Sequence, residues 1–99
     1  MGGPPLLHVD GSAGVAEVRG EWTLRALTPG LADLRRRLAA VPPSARWQLG
    51  GLERLDSFGA TLLWQAWGRR LPERLELAAG HRSLIEDVAR AAARPLPVP

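Results

Sequence analysis

Few residues in this chain could do covalent chemistry, and their spacing argues against it. The two histidines are His8, in the apolar segment Leu6-Leu7-His8-Val9, and His81, in the turn Gly80-His81-Arg82-Ser83. Neither has a nucleophile or a carboxylate beside it in a recognised catalytic arrangement. There is no cysteine, which excludes disulfides, thiolate zinc sites and a cysteine nucleophile together. No spacing of histidine, aspartate and glutamate suits a metal ion. What remains is Asp56-Ser57-Phe58-Gly59. Asp56 could serve as a general base, but an aspartate and a serine just before an apolar-rich helix are first of all capping groups. The expectation is a chain that is not an enzyme, has no cofactor, and uses this turn as a contact.

The turn needs a strand before it and a helix after it. Leu49, Leu52 and Leu55 bring an apolar segment up to Asp56, and the strand is expected over Arg46 to Gly50 with Trp47 and Leu49 facing the core. A helix is expected from Ser57 to Arg70, with Ala60, Leu63, Trp64, Trp67 and Leu71 on one face and Leu62 and Ala66 on others. That is more apolar surface than one buried stripe requires, so part of it is assigned to another protein. Thr61, Trp64 and Trp67 extend the contact along this helix, because tryptophan is enriched among interface anchors. Trp22 and Trp47 are assigned to the core.

The rest of the chain supplies the scaffold. Residues 1–4 are a Gly/Pro leader, expected to be flexible. Leu6 to Val9 and Val15 to Arg19 read as a hairpin across Asp10-Gly11-Ser12-Ala13-Gly14, which is turn chemistry. Thr28-Pro29 reads as a helix start, and Leu27, Leu31, Leu34, Leu38 and Val41 form one helical stripe, with Arg35 and Arg36 facing water and Arg37 at its border. Pro42-Pro43-Ser44 stops that helix. Leu75-Glu76-Leu77-Ala78 reads as a fourth strand. A last helix follows, with Ser83 and Glu86 at capping-box spacing and Leu84, Ile85 and Val88 inside. Residues 94–99 form a Pro-rich tail or linker.

The order is therefore ββαβαβα. Right-handed crossovers make the later strands parallel and set the first against them, giving a small mixed four-stranded α/β sheet in a single domain over residues 5–93.

Composition limits the partners. All thirteen basic residues are arginine, against ten acidic ones, for a net charge of +3. The arginines are interleaved with acids, which argues against a nucleic-acid partner. No apolar run is long enough to cross a bilayer, and the first residues do not read as a signal peptide. Direct membrane insertion is not expected, and oligomeric state is left open.

Three segments carry a resemblance: Gly20 to Leu24 (GEWTL), Trp47 to Pro72 (WQLGGLERLDSFGATLLWQAWGRRLP) and Leu75 to Ala89 (LELAAGHRSLIEDVA). Together they resemble STAS domains, the family of sulfate-transporter domains and anti-sigma-factor antagonists. Within it they are most similar to the branch fused to, or partnered with, the permease of Mla-type lipid-transport ABC systems. The resemblance implies a non-enzymatic interaction module that binds the ATPase or permease of such a transporter, in the cytoplasm and held to the inner membrane through its partners. It also implies that the Asp56-Ser57-Phe58-Gly59 turn is the partner-binding loop. The alternative it carries is an antagonist in a partner-switching circuit, phosphorylated at Ser57.

Overall fold

The computed structural model describes residues 3–42 and 44–93, so the expected tail at 94–99 lies outside it, as do Met1 and Gly2 of the leader. Strand β1 (Leu6–Asp10) and strand β2 (Val15–Trp22) form the hairpin. The Asp10 carboxylate organises its turn by accepting from the Ser12 hydroxyl (2.8 Å) and from the amides of Ser12 (3.1 Å) and Ala13 (3.2 Å). The Ser12 hydroxyl, followed by the Ala13 amide, holds the Asp10 pKa below the ordinary aspartate value. Gly14 closes the turn at φ 66°, a backbone region that costs glycine little.

After β2 the chain turns at once into helix α1 (Leu24–Leu27), passes through a 3-10 turn (Thr28–Gly30), and continues as helix α2 (Leu31–Ala39). The helical path thus begins four residues before Thr28. Thr23 is the reason: its backbone is extended and its hydroxyl accepts from the Ala26 amide, so it caps first, and Pro29 falls inside the tighter turn. Leu27, Leu34 and Leu38 are buried as the stripe requires. Arg37, at the border of the stripe, donates to the carbonyl of Leu7 in β1.

Strand β3 runs from Arg46 to Leu55, twice as far as expected. It pairs in parallel with β2, and the register slips by one residue twice: Glu17 faces Gln48 while Arg19 faces Gly51, and Gly20 faces Leu52 while Glu21 faces Arg54. Each slip is an extra residue in β3, a bulge that resets which face its side chains take. Leu49 and Leu52, three apart, would lie on opposite faces of a regular strand. With the bulges both are buried on the same side. Gly50 and Gly51 therefore continue the strand, and a Cβ on Gly51 would press to 2.8 Å from the Arg19 Cγ.

Helix α3 (Ser57–Ala66) then leads to strand β4 (Leu75–Glu76), which pairs in parallel with Trp47 and Gln48, and helix α4 (Ala79–Ala93) closes the domain. The sheet order is β1-β2-β3-β4, with β1 antiparallel to β2 and the other pairs parallel, as expected for this order of elements. Helix α3 ends at Ala66, with Trp67 as its C-cap, rather than at Arg70. Gly68 at φ 71° lets its amide reach the Gln65 carbonyl (3.1 Å) and the Arg69 amide reach the Trp64 carbonyl (3.0 Å), a Schellman stop. Helix α4 begins at Ala79, so Ser83 is one turn inside it, its hydroxyl donating to the Ala79 carbonyl, and it caps nothing.

The core lies on one face of the sheet. Ala16, Val18, Trp22, Trp47, Leu49 and Leu52 point from the strands toward Leu27, Leu38, Ala60, Leu63 and Ile85 of the helices. The opposite face carries Glu17, Arg19, Gln48, Glu53 and Glu76 along an open groove of about 600 Å³. Among the described residues no helix is long and apolar enough to cross a membrane.

Candidate functional site at the C-terminal ends of β2 and β3

Trp22 and Leu55 face each other at the ends of two parallel neighbours, and each strand is followed by a helix. Two helix starts therefore lie side by side. Each presents amides with no intrahelical partner, and one carboxylate serves both. Asp56 Oδ1 accepts from the Gly59 amide (2.8 Å) at the start of α3, and Oδ2 accepts from the Leu24 amide (2.9 Å) at the start of α1. The Asp56 amide donates to the Trp22 carbonyl (3.4 Å).

Gly59 completes the joint. A Cβ there would overlap the Trp22 carbonyl oxygen, stand 2.9 Å from its carbon and meet the Leu55 Cδ1 at 3.0 Å. Real Cβ contacts are not this close, so only glycine lets α3 start against the end of β2. Asp56 and Gly59 together fix the backbone of the turn.

The expected site residues divide into three groups. Ser57 is exposed at the first position of α3, and Phe58 and Thr61 are half-buried beside it. The Thr61 hydroxyl donates to the Ser57 carbonyl (2.7 Å), so its polar atom is turned onto its own helix. Asp56 and Gly59 build the turn. Trp64 is half-buried along α3, while Trp67 is 8% exposed and packs edge-to-face on Trp47, with ring centroids 5.7 Å apart. Trp67 is thus brought into the core at the far end of α3, away from the turn, because the helix axis carries it back toward the start of β3. Trp64 Nε1, Trp67 Nε1 and His81 Nδ1 are buried without a hydrogen-bond partner.

Sequence reasoning missed Leu24. It is 53% exposed, the most exposed of the large apolar side chains among the described residues, and its amide is tied to Asp56. A signal was present: Trp22-Thr23-Leu24 repeats the pattern of Leu55-Asp56-Ser57, a strand end followed by a capping residue. The stronger-looking Thr28-Pro29 masked it.

Among the described residues no group of three histidines, aspartates or glutamates could hold a metal ion. His8 is exposed in β1, and His81 lies in α4. No protein-family model, curated protein or solved structure matches the chain.

Proposed function

We propose that this chain is a non-enzymatic STAS-type interaction module, and that the turn joining β3 to α3 is its partner-binding surface. The partner is the ATPase or the permease of an Mla-type lipid-transport ABC complex, which would hold the domain at the cytoplasmic side of the membrane. What supports the reading is one arrangement: exposed Ser57, half-buried Phe58 and exposed Leu24 stand on a backbone already pinned by Asp56 and Gly59. A surface fixed in advance loses little conformational freedom on binding, and so keeps more of its contact energy as affinity.

The test is a pull-down with a purified ATPase and permease of an Mla-type lipid-transport ABC complex. Ser57→Glu and Ser57→Arg should each abolish capture while the circular dichroism stays native. Undiminished capture by both variants sinks this surface as the site.

One observation favours a second reading. The Ser57 side chain is exposed at the first turn of α3, where a phosphate would add up to two negative charges at the contact. In an anti-sigma-factor antagonist that charge would switch binding off. Incubation with a partner-switching serine kinase, followed by mass spectrometry, separates the two: phosphate on Ser57 supports the antagonist, and an unmodified chain supports the transporter module.

A further inference from the structure

The opposite end of the strands has a different character. Four arginines surround the Trp47–Trp67 stack. Arg46 precedes Trp47 in β3, the Arg74 carbonyl accepts from the Trp47 amide (2.9 Å), and Arg69 and Arg70 leave α3 directly after Gly68. All four are exposed. The ion pairs among the described residues, Arg19–Glu17, Arg36–Asp33 and Arg90–Asp87, include none of them.

Two acids stand at this end. Glu73 lies between Arg70 and Arg74, and Asp10 lies in the neighbouring hairpin turn, where Ser12 and Ala13 engage its carboxylate. Four arginines against these two acids leave this group of residues with a surplus of positive charge. Leu71, next to Arg70, is 39% exposed, so an apolar side chain stands among the cations. Arg69 holds φ 65°, a conformation that disfavours any side chain.

The end of α3 accounts for part of this, since cations suit a helix C-terminus. It does not account for Arg46 and Arg74, which belong to β3 and to the segment entering β4. We propose that this end docks on an anionic phospholipid bilayer, the arginines meeting headgroup phosphates and Leu71 dipping into the interface. Unpaired arginines beside an exposed leucine fit that surface. They do not fit nucleic acid as well, because the aromatic rings at this end, Trp47 and Trp67, are buried and cannot stack on bases. The inference is independent of the partner reading: a ten-residue strand puts about 30 Å between the two ends.

Co-sedimentation of the full chain with vesicles tests it. Equimolar phosphatidylglycerol and phosphatidylcholine should bind the protein, phosphatidylcholine alone should not, and added salt should release it. Each arginine is expected to contribute about fivefold to the partition coefficient. Arg69→Gly with Arg70→Gln should therefore lower it by about 25-fold, and glycine at 69 suits the backbone so that the variant folds. Arg25→Gln with Arg54→Gln, exposed at the opposite end of the sheet, should bind within about twofold of the native chain. Equal binding to neutral vesicles, or no loss in the Arg69/Arg70 variant, would overturn the proposal. Displacement from vesicles by short duplex DNA at low salt would overturn it in favour of nucleic acid.

Discussion

The two ends of β3 are built on different principles. At Leu55 the chain is over-determined: one carboxylate caps two helices, a glycine is demanded by a carbonyl, and the backbone has nowhere to move. At Arg46 order comes from bulk, a pair of tryptophans edge to face, and the arginines around them form no ion pair among the described residues. Hydrogen bonding fixes a shape to within tenths of an ångström, whereas apolar packing fixes only contact and volume. The first end suits recognition of one partner, and the second suits a surface that needs charge but no fixed outline.

Substitutions at each end should expose the contrast. The largest effect is expected for Gly59→Ala, which drives a methyl group into the Trp22 carbonyl. Chemical denaturation should show a loss of about 4 kcal/mol or more, or no folded protein. A loss under about 1 kcal/mol would mean that the joint is softer than its geometry. Next comes Trp67→Ala at the other end, expected to cost about 3 to 5 kcal/mol by emptying a large volume beside Trp47. Its signature should differ: a lower unfolding midpoint with the Asp56 turn intact, so that any partner captured by the native chain is still captured. Asp56→Ala should be milder, about 2 kcal/mol, because two caps go at once. It should couple the stabilities of α1 and α3, which hydrogen exchange at Leu24 and Gly59 can read. Arg69→Gly is the smallest and has the opposite sign, a gain of about 0.5 kcal/mol from relieving the positive φ.

Much of the architecture was legible because the relevant physics is local. Pro42 follows the end of α2, Asp10 with Gly14 makes a turn, and a leucine stripe marks α2. What was not legible depended on neighbours. Gly50 looked like a strand end and instead lies in the first bulge, with Gly51 paired to Arg19 beyond it, which only the register against Glu17, Arg19 and Gly20 reveals. Ser83 and Glu86 matched a capping spacing, yet α4 starts at Ala79, so spacing alone did not locate the helix start. The same holds for the site. Asp56 could be read as a cap, but nothing in the sequence couples it to Leu24, thirty-two residues away. Trp64 and Trp67 were indistinguishable by periodicity, and the Trp47 ring separates them by drawing one inside.

The shortness of β4 has its own consequence. Only Trp47 and Gln48 are paired on that side of β3, so from Leu49 to Leu55 the longest strand of the sheet has, among the described residues, a free margin. Such margins invite the same strand of another molecule, and chains that persist at high concentration must spoil the match. Here the spoiling is done by irregularity and charge. Two bulges break the even spacing of amides that a second strand would need, and Glu53 and Arg54 stand exposed beside the second of them. The slips that let three leucines share one face thereby also blunt the free margin of the strand.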